Sequence, residues 1–211
     1  MPNSERTAAE RAAEFTTPLS LHGRCASLVP LTHAFHDQLV EALHDGELWK
    51  LWYTAVPAPE QLGAEIDRRL GLRAQGSMLP FAVIEKSTGQ AVGMTTYLNI
   101  DSPNRRVEIG ATWYRQRVQR SALNTDCKLL LLTHAFETLN CIAVEFRTHL
   151  FNRQSRAGIE RLGARLDGVL RQHQLGRDGT LRDTCVYSIL DREWPTVRAH
   201  LTHELGRPRT P

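Results

Sequence analysis

Between Trp113 and Lys128 the chain reads WYRQRVQRSALNTDCK, and four cations, Arg115, Arg117, Arg120 and Lys128, crowd this stretch. It follows an alternating apolar segment with the period of a strand and runs into a strongly apolar helical segment. The cations therefore gather around a strand end, a polar loop and a helix start. A helix start leaves several backbone N–H groups without intrahelical partners and carries the positive end of the peptide dipoles. An anion docks readily at such a point, and a pyrophosphate is the ligand this layout suits. A solvated basic loop has the same composition, so the loop alone leaves both readings open. Neither GxxxxGK[ST] nor GxGxxG occurs in it.

Other reactive side chains lie on either side of this stretch. Glu108 alternates away from Val107 and Ile109, which puts its carboxylate on the opposite strand face. Asn152 and Ser155 form an N-x-x-S ahead of a helical run, and Asn152 reads as an N-cap. Cys127 lies near a helix start, where a thiol pKa can fall, but no base partner is identifiable and the residue reads as structural. His33/His36 and His200/His203 are i, i+3 pairs without a carboxylate or cysteine at metal-motif spacing, so they read as surface histidines and no metal is expected. Trp113 and Trp194 read as packing residues.

The elements that must position these groups follow from periodicity. A strand is expected through Leu19–Leu31, a helix over His33–His44, and an aromatic, proline-punctuated loop over Leu48–Pro59. A helix follows over Pro59–Gln75, with Leu62, Ile66 and Leu70 on its apolar face. Strands are expected at Leu79–Glu85, Ala91–Asn99 and Arg106–Tyr114, the first two joined by a hairpin turn at Ser87-Thr88-Gly89. Next come a helix over Ala122–Leu139, a strand at Ala143–Thr148 and a helix over Arg153–Leu162 stopped by Gly163. Strands near Leu166–Gln172 and Thr184–Leu190 and a helix over Asp191–His203 complete the chain. Such alternation predicts an α/β fold with a mixed sheet covered on both faces.

The 211 residues suit one domain, expected over 18–205, between a flexible amino-terminal tail or short frayed helix (1–17) and a disordered end (206–211). Hydrophobic residues at 41% and charged residues at 23% are ordinary for a globular core, which needs no metal or disulfide staple. The net charge of +3 is spread along the chain, which argues against a nucleic-acid-binding protein. Cys25, Cys127, Cys141 and Cys185 show no CxxC spacing and suit free thiols in a reducing compartment. With no apolar span and no secretory leader, the cytoplasm is the expected location and no membrane partner is expected.

Four segments, in order, resemble one family: VEIGATWY at 107–114, VQRSALNTDCKLLLLTHAFE at 118–137, FNRQSRAGIERLGARLDGVLR at 151–171 and RDTCVYSILDREWP at 182–195. Together with the order of elements they resemble the GNAT N-acetyltransferases, more narrowly the RimJ/RimL type, over roughly residues 19–205. The family's loop pattern, [Q/R]xxGx[G/A], reads here Arg117-Val118-Gln119-Arg120-Ser121-Ala122, with Arg120 at the first glycine position. A positive φ there would cost a non-glycine residue roughly 1 kcal/mol. Arginine offers in exchange a fork for a phosphate.

The resemblance implies a GNAT acyl-CoA N-acyltransferase fold, with a mostly antiparallel twisted sheet and helices on both faces, and acetyl-CoA as acyl donor. It implies that the backbone N–H groups of Arg117, Val118, Gln119, Arg120, Ser121, Ala122 and Leu123, with Asn124 beyond them, hold the CoA pyrophosphate. It implies that Thr112, Trp113 and Tyr114 pair with the pantetheine arm as an added strand and supply an N–H to the thioester oxygen. A neutral amine would attack the thioester directly in a ternary complex, with Glu108 as base. Asn152 would touch pantetheine and Ser155 would protonate the leaving thiolate, with Tyr187 second for that role; a buried tyrosine with a satisfied hydroxyl is its plainer reading. Trp49, Trp52 and Tyr53 would enclose the acceptor or plug the core edge. The acceptor is a primary amine, on a protein N-terminus or a small molecule, and a homodimer is compatible with relatives. The alternatives are a catalytically silent CoA-binding sensor and a ribosome- or RNA-binding protein.

Overall fold

Six consecutive buried residues, Met78–Val83, and seven more, Ala91–Tyr97, mark strands covered on both faces, and the sheet is built around them. The computed structural model describes residues 8–176 and 178–207. In chain order the elements are α1 (Ala8–Glu14), β1 (Leu21–His22), β2 (Ala26–Pro30), α2 (His36–His44), α3 (Leu62–Ala74), β3 (Met78–Glu85), β4 (Ala91–Asp101) and β5 (Arg106–Tyr114). Then follow α4 (Leu123–Thr133), β6 (Ala143–His149), α5 (Arg153–Arg161), β7 (Arg165–Leu175), β8 (Leu181–Leu190) and α6 (Trp194–Gly206). The strands form one eight-stranded sheet in the order β1-β2-β3-β4-β5-β6-β8-β7. Neighbours run antiparallel except β5 and β6, which are parallel. The α/β class and the mostly antiparallel sheet are as the sequence predicts.

One core lies on each face. On one side α2 and α3 pack Leu39, Leu43, Leu62 and Ile66 against Ala82, Met94 and Trp113. On the other, α4, α5 and α6 pack Leu131, Ile159 and Leu201 against Val83, Tyr97, Ile109 and Phe146.

Four expectations need correction. The strand expected through Leu19–Leu31 is two short strands, because the buried Asp126 carboxylate of α4 captures the N–H groups of Cys25 (2.6 Å) and Ala26 (3.0 Å) and folds the chain back between them. Gly23 makes this possible, since a Cβ there would sit 2.4 Å from Asp126 Oδ2. The long helix is α-helical only to Thr133, and a π-helical turn over His134–Thr138 carries it on. The hairpin of β7 and β8 is longer than expected, because cross-strand pairing sustains it where most of β7 is exposed and apolar burial leaves no periodic mark. The segment expected as a flexible tail or short frayed helix holds α1 and is anchored by Phe15, which sits in the core at 3% exposure. Residues 1–7 and 208–211 of the two expected ends lie outside the described residues.

Candidate active site

The parallel strands β5 and β6 pair only over Arg106–Glu108 and Ala143–Glu145. Past Glu108 they part, and β5 from Ile109 onward turns an unpaired backbone edge toward the gap. Its other edge stays on β4 but slips register, so that Ala111 and Thr112 together face Thr95. This is a β-bulge, and Ala111 adopts φ 47 within it.

Two buried cations hold the bulge from opposite faces. From α3, Arg69 (2% exposed) donates to Thr96 Oγ1 at 2.8 Å and to the Ala111 carbonyl at 3.4 Å, its Nε paired with Glu65 at 2.7 Å. From α4, Lys128 (6% exposed) donates to Thr112 Oγ1 at 3.0 Å and Thr95 Oγ1 at 3.3 Å. Burial brings the Lys128 ammonium down to about 8, with no carboxylate among its hydrogen-bond partners in the described residues.

The loop before α4 lies on the Lys128 side of the sheet. The charge concentration read from the sequence is largely dispersed by folding. Arg115 is bound to Asp45 (2.9 Å) and Glu41 (3.2 Å), Arg117 forks onto Glu85, and Lys128 is inside. Several expected backbone donors are committed too. The Arg117 N–H donates to Asp45 Oδ2 (3.2 Å), Val118 to the Arg115 carbonyl and Gln119 to the Gln116 carbonyl, because residues 116–118 close a 3₁₀ turn. Leu123 N–H is capped by Ser121 Oγ at 3.2 Å. Among the described residues no partner meets the N–H groups of Ser121 and Ala122, nor that of Asn124 in the first turn of α4. Of the N–H groups expected to meet an anion, those of Arg117, Val118, Gln119 and Leu123 are therefore committed within the fold. Arg120 stands exposed in the same loop at φ 59, the left-handed conformation its family position favours.

Thr112 spends its hydroxyl on Thr95 and Lys128, while Trp113 and Tyr114 bury their rings in the two cores. Only main-chain atoms of these three can face the gap. The Tyr114 hydroxyl lies against Cys127, whose thiol burial pushes up to about 12, too high for a nucleophile at neutral pH.

Glu108 opens on the α2/α3 face at the point where the strands part. It is 5% exposed, accepts from Asn99 Nδ2 at 2.7 Å and lies 3.5 Å from Arg147 Nε. Burial raises its pKa above the ordinary carboxylate value, against the opposing pull of Asn99 and Arg147. Across the gap, Asn152 Oδ1 caps α5 by accepting the Ser155 N–H at 3.0 Å, as expected. The Ser155 hydroxyl has no partner among the described residues. Tyr187 has its hydroxyl satisfied, donating to Glu160 at 2.8 Å and accepting from Arg156 at 3.0 Å, the plainer of its two readings.

The three aromatics separate. Trp49 packs against the α2/α3 core. Trp52 and Tyr53 line a small open pocket of about 120 Å³ together with His149, Gln174, Leu175, Thr180 and Arg182. Trp52, half exposed, meets His149 edge-on at 5.0 Å and Phe151 at 6.0 Å. His149, Arg182, Arg147, Asn99 and Arg69 went unmarked in the sequence, and Lys128 was marked there only as one of the loop's cations. The alternation Glu145, Arg147, His149 was the available signal, since it shares the Glu108 face once the parallel register is known.

The strands thus part around an open backbone edge, with a bare helix start on one face and a buried carboxylate at the split. The chain belongs to the GNAT acetyltransferase family, with residues 27–165 matching the acetyltransferase (GNAT) domain. It is 35% identical over 106 residues to the Bacillus subtilis protein named "Putative ribosomal N-acetyltransferase YdaF", covering 50% of this chain and 57% of that one. The chain thus spans little more than half the length of that relative. A GCN5-related N-acetyltransferase from Brucella melitensis matches with TM-score 0.80 at 28% identity, over 90% of this chain and 86% of that one. Mycobacterium smegmatis RimJ, solved in complex with CoA-disulfide, shares the fold with TM-score 0.76 at 21% identity, over 91% and 97% of the two chains.

Proposed function

We propose that this protein transfers an acetyl group from acetyl-CoA to a primary amine, on a protein N-terminus or a small molecule, by direct attack in a ternary complex. The observation that carries the reading is the split of β5 from β6, with unpartnered N–H groups at the start of α4 on one face and buried Glu108 on the other. Ser121, Ala122 and Asn124 N–H groups hold the pyrophosphate, with Arg120 alongside, and Asn152 touches the pantetheine arm. The main chain of Thr112–Tyr114 pairs with the pantetheine arm. The donor supplies a thioester carbonyl. Glu108 takes a proton from the amine as the C–N bond forms. Ser155 Oγ–H gives a proton to the sulfur as the C–S bond breaks.

The YdaF name supports a protein amine as acceptor and the cytoplasm as the place of action. Among the described residues no helix is long and apolar enough to cross a membrane. A homodimer through the β7–β8 hairpin is supported by the exposed Leu166, Leu170, Leu175 and Leu181 on this edge of the sheet. Light scattering should show two copies for the wild type and a shift toward one for Leu175→Asp.

Titration calorimetry with CoA tests the central claim, run on the wild type and Arg120→Ala with dephospho-CoA as control. Micromolar binding that weakens several-fold in the variant is expected, together with CoA release when amines are supplied. Tight binding without acetyl-CoA consumption across an amine panel would favour the silent CoA sensor. No binding by the wild type up to millimolar CoA would remove the acyltransferase reading.

A further inference from the structure

Arg182 has no carboxylate partner among the described residues, although it stands between two aromatic rings and the site. It lies on the Glu108 face of the sheet, since the β6–β8 register places Glu145 opposite Ser188 and His149 opposite Thr184, and Arg182 is two residues further on. Its Nε donates to Thr184 Oγ1 at 3.1 Å, which folds the guanidinium back along β8 toward the split. Burial lowers its pKa, and the charge of Glu108 acts in the opposite direction. Its terminal nitrogens have no hydrogen bond or ion pair among the described residues. Arg182 lines the pocket together with Trp52, Tyr53, His149 and Gln174.

The other polar groups there are mainly donors or are already occupied. Phe151 N–H donates to His149 Nδ1 at 3.1 Å, so the neutral ring carries its proton on Nε2. Burial first, and the nearby Arg182 second, keep this imidazole neutral by lowering its pKa. Of the nearby carboxylates, Asp183 accepts the Gln172 N–H at 2.8 Å and Asp178 is tied to Thr180 at 2.7 Å. A half-buried guanidinium with free Nη groups, an imidazole N–H and aromatic walls is a receptor for a carboxylate.

Resting on the acetyltransferase reading, we infer that the acceptor carries a carboxylate set apart from its reacting amine, and that Arg182 binds it. Glu108 pairs opposite Glu145, and its carboxylate reaches forward to 3.5 Å from Arg147 Nε. The Arg182 guanidinium is folded onto Thr184, which pairs with His149, two residues or ~7 Å beyond Arg147 along β6. An extended peptide covers that distance in about two residues. The acceptor class is therefore a polypeptide amino terminus with Asp or Glu at its second or third position. Its amine lies at Glu108, its backbone passes under Trp52 and Tyr53, and its acidic side chain meets Arg182.

The test compares short peptides bearing Asp or Glu at the second or third position with matched Asn or Gln peptides. CoA release and peptide binding to the CoA-saturated protein are measured in parallel, the latter by Trp fluorescence. The wild type should prefer the acidic peptide by about tenfold or more in kcat/KM. Arg182→Met should erase the preference and Arg182→Lys should keep part of it, both with unchanged CoA affinity as the check on folding. Equal use of acid and amide, or a preference that survives Arg182→Met, overturns the inference while leaving the acetyltransferase reading standing. Acid-selective, Arg182-dependent binding without turnover does the reverse. The absence of both selective binding and selective turnover overturns the inference whatever the chemistry.

Discussion

Glu108 is the residue on which the proposed chemistry depends. A carboxylate that is 5% exposed beside one amide and one guanidinium is costly to ionise, and its raised pKa brings it nearer the range where a base is both ionised and effective. The rate should therefore rise with pH through an ionisation above the ordinary carboxylate range. Glu108→Gln keeps the volume and the Asn99 contact; it should lower kcat/KM by roughly 10²-fold or more and abolish that limb of the pH profile. An unchanged profile in the variant would assign the limb to another group.

At the scale of elements, the β5 bulge is the feature that opens the sheet, and it is held by Arg69 from α3 and Lys128 from α4. Lys128 stabilises a local shape at a cost to the whole fold. Its ammonium titrates near 8 in the folded state against 10.5 for the free side chain. Below pH 8 both states hold the proton and the cost of burying it is fully present. Between pH 8 and 10.5 the unfolded chain binds more protons than the native one, so stability rises with pH. Lys128→Met should make the protein more stable at pH 7 by on the order of 1–3 kcal/mol and flatten that alkaline rise, both measurable by urea unfolding. The same variant should lose activity, because Thr112 and the bulge lose their support from the α4 face. A destabilised variant would mean that the hydroxyl contacts outweigh desolvation.

For the molecule as a whole, the amino-terminal segment closes the core on the α4 face. Phe15 lies 3% exposed among the residues of that core, two residues before the end of what composition alone marks as a tail. Phe15→Ala should cost about 3 kcal/mol in denaturant unfolding, whereas Ala12→Ser at an exposed position of α1 should change stability by less than about 0.5 kcal/mol. Equal, small effects would show that the segment detaches without consequence to the core.

The sequence by itself determined the class of fold, nearly all the elements and the family. Strand and helix periods are local properties of the chain, and the four ordered motifs survive without coordinates. It also marked Glu108, the Asn152 cap and the loop that carries Arg120, because alternation, capping and a helix start are read from neighbours in sequence. Only the tertiary structure decided which carboxylates take up Arg115 and Arg117. Arg115 and Arg117 look equivalent to Arg120 along the chain, yet Asp45, Glu41 and Glu85 lie 32 to 74 residues away and take them up. The brace of Arg69 and Lys128 and the free guanidinium of Arg182 were hidden for the same reason. Each depends on partners brought from distant strands by a register, and no local pattern encodes which charge will find one.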